Sequence, residues 1–66
     1  MKILGAIAVI YIKKHNDGRV TERIEIIQDI FDELPEAVMR FVLLSKAINQ
    51  FGKVRIVSEN YKIIDE

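Results

Sequence analysis

ILGAIAVIYI, residues 3–12, is an unbroken run of ten apolar residues in a chain of 66. It is rich in isoleucine and valine, contains Gly5 and stops at a turn signal, so it reads as a β-strand buried on both faces. Alternation puts Ile3, Gly5, Ile7, Val9 and Tyr11 on one face and Leu4, Ala6, Ala8, Ile10 and Ile12 on the other. Both faces need cover, and a chain this short has little to cover them with. Ten residues are too few for a transmembrane helix, which takes about 20. KKHNDG follows the run and lacks the small residues of a cleavage site, so a signal peptide is not expected.

Past the run, the His15-Asn16-Asp17-Gly18 stretch supplies turn formers and a residue that tolerates positive φ. It predicts a hairpin, either with a type I turn and a Gly bulge or with a tight Asp17-Gly18 turn. The choice decides which face of the second strand is buried. That strand is expected from Arg19 to about Ile26. Val20, Ile24 and Ile26 would share its core side with Glu22, and Thr21, Arg23 and Glu25 its solvent side.

Residues 27–37 read as an irregular lead into a helix. Pro35 is tolerated only in a first turn, and Asp32 is a plausible N-cap. Ile30 and Phe31 would plug the core beside it. The helix is expected over 33–51 and stops at Gly52, a natural residue just past a helix C-terminus. At 100° per residue, Leu34, Ala37, Val38, Phe41, Leu44 and Ile48 form a stripe that should pack on the sheet. Met39 and Leu43 then stack on the outer side, with Val42 and Lys46 beside them. KVRIV, residues 53–57, predicts a third strand, and residues 58–61 either turn into a short fourth strand or continue the third.

The fold class is therefore α+β, one domain over residues 1–66, with element order β-β-α-β-(β). A crossover that skips the first strand gives the sheet order 2-1-3-(4), with the first strand central and one helix on one face. A β-grasp-like order, 2-1-4-3, is the alternative. It is less attractive because Lys62, Asp65 and Glu66 would then sit in the central strand.

Composition narrows the function. The chain has no cysteine and one histidine, so disulfides and a Cys/His zinc site are excluded, and the redox argument leans toward the cytosol. A domain of this size usually needs a staple, and oligomerisation is what remains. Ten bases balance ten acids, which argues against broad attraction to nucleic acid or membrane. No cofactor, metal or small-molecule substrate is expected. His15 at a turn tip has no pocket. Asp29, Asp32, Glu33 and Glu36 have helical spacing, but Pro35 breaks their alignment. Gly5, Gly18 and Gly52 are too far apart for a phosphate loop.

One helix covers one sheet face, so the other is expected to show an apolar stripe flanked by Thr21, Arg23, Glu25 and Arg55. The expected function is a non-catalytic interaction protein, a homodimer or a subunit of a complex. Ile7, Val9 and Tyr11 on the sheet, and Met39, Val42, Leu43 and Lys46 on the helix, are the expected partner-binding residues. The alternative is a dimeric nucleic-acid-binding regulator that uses the basic hairpin residues Lys13, Lys14, His15, Arg19 and Arg23, with Lys53 and Arg55 able to add to them.

Overall fold

A computed structural model describes residues 1–65. It has four elements: β1 (Lys2–Lys14), β2 (Val20–Asp32), α1 (Glu36–Phe51) and β3 (Val54–Asp65). The three strands form one antiparallel sheet in the order β2-β1-β3. The most apolar strand is thus central, as its sequence demands. No separate fourth strand is seen among the described residues, because Ser58–Tyr61 continue β3 as one long edge strand. β3 absorbs two register irregularities against β1, one between Ala8 and Val9 and one between Lys2 and Ile3.

The β1–β2 turn takes the looser of the two forms. Gly18 N–H donates to the His15 carbonyl at 3.1 Å, His15 N–H donates to the Arg19 carbonyl at 2.9 Å, and Gly18 has φ 88°. This is a three-residue loop with a glycine in the left-handed region. It sets Lys14 opposite Val20, and every later pair follows: Ile10 faces Ile24, Ala8 faces Ile26 and Leu4 faces Ile30.

β2 is longer than expected and does not stop at Ile26. Its second half, residues 27–32, is strand and not an irregular lead into the helix, and Asp32 ends the strand instead of capping α1. The doublet Ile26-Ile27 is the reason. Ile27 and Phe31 lie on the opposite face from Ile24, Ile26 and Ile30, and these two supply the buried contacts of β2. Burial of the strand is therefore reversed from the sequence expectation. Val20, Ile24 and Ile26 are exposed, whereas Arg23 and Glu25 share the helix-side face with Ile27. α1 begins at Glu36 after Pro35, whose carbonyl accepts from the Val38 and Met39 N–H groups. It ends at Gly52, with φ 83° and its N–H on the Ile48 carbonyl at 2.8 Å.

The helix covers the face of β1 that carries Ile3, Gly5, Ile7 and Val9, and the core is these residues with Ile27, Phe31, Met39, Leu43 and Ala47. α1 is turned by nearly half a revolution from the expected packing. Met39, Leu43 and Ala47 point at the sheet, while Phe41 is 71% exposed and Leu34, Val38 and Ile48 are exposed too. Four contacts favour this orientation. A Cβ on Gly5 would lie 3.1 Å from atoms of Leu43, Phe31 and Tyr61, so the bare backbone lets the leucine down onto the strand. Phe51 stacks on Tyr11 with ring centroids 4.6 Å apart. On either flank, Lys46 pairs with Asp29 of β2 and Arg40 with Glu59 of β3. Turning the helix to bury Phe41 would break all of these.

Candidate interaction surface

Among the described residues, nothing lies over the face of the sheet away from α1. Its central row is Leu4, Ala6, Ala8 and Ile10, all half-buried between neighbouring strands. Beside it on β2 stand Ile30, Ile26 and Ile24, of which Ile24 is 66% and Ile26 67% exposed. On the β3 side the partners of the central row are Lys62, Asn60, Ser58 and Arg55. The surface is thus an apolar band two strands wide with a polar margin on one side. Polar margins around apolar centres characterise association surfaces.

This band contains none of the residues expected to bind a partner. Ile7 is 1% exposed and Val9 0%, both under the helix. Met39 and Leu43 are core residues, and Val42 packs partly against them. Tyr11 lies against Phe51 on the helix side, and Lys46 is engaged with Asp29. The flanks are corrected as well. Thr21, Arg23 and Glu25 border the helix-covered face, and only Arg55 borders the open one. Leu4, Ile24, Ile26 and Ile30 are the residues that sequence reasoning missed. Reading the turn as a loop with a Gly bulge, together with the Ile26-Ile27 doublet, would have revealed them. The outer helix stripe of Leu34, Val38, Phe41 and Ile48 is a second apolar surface. Because α1 sits on the other side of the sheet, this stripe cannot extend a contact made by the open face.

At the hairpin end, β3 starts opposite Tyr11, so residues 12–20 project past the body as a two-stranded arm. Lys13, Lys14, His15, Arg19 and Arg23 are all exposed on or beside it. Asp17 accepts from the Arg19 Nε at 2.6 Å, Glu25 lies 3.5 Å from the Arg23 guanidinium, and His15 Nε2 is hydrogen-bonded to Thr21 Oγ1 at 2.8 Å. Where the arm meets the body there is an open trough of about 720 Å3, floored by Ile10, Ile12, Phe51 and Val54. Lys14, Lys53 and Arg55 edge it, together with Glu22. Among the described residues, no ion pair engages Lys13, Lys14, Lys53 or Arg55.

The acidic group of residues 29–36 does not converge. Asp29 pairs with Lys46, and Asp32 lies 2.5 Å from the Lys2 ammonium. Their hydrogen bonds to these lysines hold both carboxyls below the usual range. Glu33, at φ 35° just past the end of β2, donates its N–H to the Met1 carbonyl at 3.1 Å. No group of three or more His, Cys, Asp or Glu residues able to hold a metal ion occurs among the described residues. Burial, reinforced by Glu59, raises the Tyr61 phenol above its ordinary value. No helix among the described residues is long and apolar enough to cross a membrane.

No protein-family model matches this chain, and no match is found among curated proteins or solved structures.

Proposed function

We propose that the protein is a non-catalytic interaction module that self-associates through its open sheet face. The observation that carries this reading is the band of Leu4, Ala6, Ala8 and Ile10 with Ile24, Ile26 and Ile30 beside it, uncovered in a chain too small to leave such a surface idle. Its size fits. Three strands over residues 2–11 of β1 and two over 12–14, at about 3.3 Å per residue and about 4.8 Å per strand, give the whole face with its polar margin roughly 570 Å2 in projection. Side-chain relief raises the accessible area above that, toward the roughly 800 Å2 per partner of stable complexes. A buried apolar sheet face would also serve as the staple that a cysteine-free domain of 66 residues otherwise lacks.

Light scattering over a wide concentration range tests the reading. The expected result is a dimer that Ile26→Lys converts to a folded monomer. A wild-type chain that stays monomeric at all concentrations, or an Ile26→Lys variant of unchanged dimer mass, overturns it.

A second reading, nucleic-acid binding, is favoured by the projecting arm with its Lys13 and Lys14 and by Lys53 and Arg55 at its base, none of them in an ion pair among the described residues. Such contacts weaken steeply with salt. Binding of an oligonucleotide at about 50 mM salt that falls on Lys13→Glu plus Lys14→Glu would support it, and absence of binding there would remove it.

A further inference from the structure

β1 and β2 run on together past the point where β3 begins. Tyr11 is the last β1 residue with a β3 partner, Val54, whereas Ile12, Lys13 and Lys14 are still paired with β2. The chain enters β3 from the helix side, through Gly52 at φ 83° and ψ −138°, and not along the sheet. A notch is left beside Ile12 and Lys14 in the line of β3, and the trough of about 720 Å3 is that notch. We propose that it takes an extended acidic and apolar segment of another protein, which adds to the free edge of β1 as a short antiparallel strand. The notch lies at the sheet edge, so the inference goes beyond self-association through the open face and does not rest on it.

The backbone supplies the first part of the fit. His15 N–H donates to the Arg19 carbonyl across the hairpin at 2.9 Å. Amide direction alternates along an antiparallel strand, so Ile12 and Lys14 turn their N–H and C=O groups out of the hairpin, toward the notch. No β3 residue is registered opposite either of them. A strand end of this kind is a template for an added strand.

Side chains choose the occupant. Ile12 is 58% exposed at the notch, and Ile10, Val54 and Phe51 continue its apolar floor. Lys14, Lys53 and Arg55 stand at the margin against one acid, Glu22. None of the three cations is in an ion pair among the described residues. Ile12 and Lys14 lie on the same face of β1, so an added strand meets an apolar side chain and, two residues on, a cation. Opposite charges facing each other across strands are favourable and like charges unfavourable. Pairing with a second copy of this edge would crowd Lys13 and Lys14 of both copies into one short ladder. A strand with Asp or Glu facing Lys14 and Val, Ile or Leu facing Ile12 satisfies both. A nucleic acid fits less well, because the floor is mainly aliphatic and its one aromatic ring, Phe51, is stacked on Tyr11 instead of standing free for a base.

Selection from a random peptide library displayed on phage, at about 50 mM salt so that charge contacts are little screened, tests this. Enriched peptides should hold Asp or Glu two residues from Val, Ile or Leu. A synthetic copy of one should bind the variant Lys14→Glu plus Lys53→Glu about 10-fold more weakly than wild type in a fluorescence anisotropy titration. Both positions are exposed, so the variant should keep the wild-type circular dichroism signal. Strand addition has its own signature. N-methylation of every second peptide amide should abolish binding in one phase and be tolerated in the other, because only one set of amides donates to the ladder. No enrichment, enrichment without acids, equal affinity for the charge-reversed variant, or equal effects of the two N-methylated sets would overturn the proposal. So would a single-stranded oligonucleotide probe that binds through Lys14 and Lys53 when no library peptide does.

Discussion

The helix-side face of β1 carries Ile3, Gly5, Ile7 and Val9, and the open face carries Leu4, Ala6, Ala8 and Ile10. The two sets are neighbours along one strand and nearly equal in hydrophobicity. They differ in what stands over them. Gly5 admits Leu43, and Ile7 and Val9 close under Met39, Leu43 and Ala47, so the first face is packed out within one chain. On the second face the two alanines keep the centre low between Ile24, Ile26 and Ile30 and the polar β3 residues. An apolar strand face is therefore not by itself core. It becomes core only where another element fits its relief.

The largest expected contrast comes from one substitution made on either face. Val9→Asp places an unpaired carboxylate where exposure is 0% and should destabilise the chain by at least about 4 kcal/mol, seen as loss of the folded circular dichroism signal. Ala8→Asp, one residue away, should cost only what association contributes. Its effect on Tm relative to wild type should shrink toward zero on dilution. A concentration-independent penalty of the same size at both positions would erase the distinction between the faces.

Gly5→Val should cost about 1–3 kcal/mol in a denaturant titration, because Leu43, Phe31 and Tyr61 already stand 3.1 Å from where its Cβ would lie. Ala6→Val, on the other face, has no helix to displace. A neutral Gly5→Val would mean that α1 rides higher on the sheet.

Alkaline pH probes the edge of the covered face. The Tyr61 phenol is raised by burial, so it stays protonated in the folded chain when the unfolded chain has begun to lose its proton. Stability should be full below about pH 10 and fall as pH rises through the folded value. Tyr61→Phe should remove its share of that slope, and an unchanged slope would place the phenol in solvent.

The smallest effect is expected at the flank of α1. Asp29 is lowered by its hydrogen bond to Lys46, so its contribution is present above the ordinary carboxylate range and lost as pH falls through the folded value. The pair is well exposed, and Asp29→Asn should cost no more than about 1 kcal/mol at neutral pH and nothing in strong acid. A larger loss would make this pair, rather than the packing of Met39, Leu43 and Ala47, the main constraint on helix rotation.

Much of the architecture is legible in the sequence. The run at residues 3–12 marked the central strand, Gly18 and Gly52 marked two chain reversals, and the crossover rule placed β3 beside β1. β2 was misread beyond Ile26 because Pro35 and the acids near it suggested a helix start, and the Ile26-Ile27 doublet hid the change of buried face. The helix was harder still. Its best amphipathic stripe, Leu34, Val38, Phe41 and Ile48, faces away from the sheet. Periodicity shows that a helix has apolar sides, but not which of two sides a given sheet accepts.

The sequence by itself determined the element order, an antiparallel or mixed sheet with β1 at its centre and the need for cover on both faces of that strand. These follow from local chemistry: unbroken apolar residues, glycine where φ is positive, proline ahead of a helix. Only the tertiary structure decided which face was covered and which side of α1 covered it. That choice rests on a hairpin register set at Gly18, on the missing Cβ of Gly5 beneath Leu43, and on Lys46 and Arg40 reaching acids on opposite edges of the sheet. The turn at Gly18 is local but its sequence admits two forms of opposite register, whereas the other contacts join residues far apart in the chain and leave no mark in a local window of sequence.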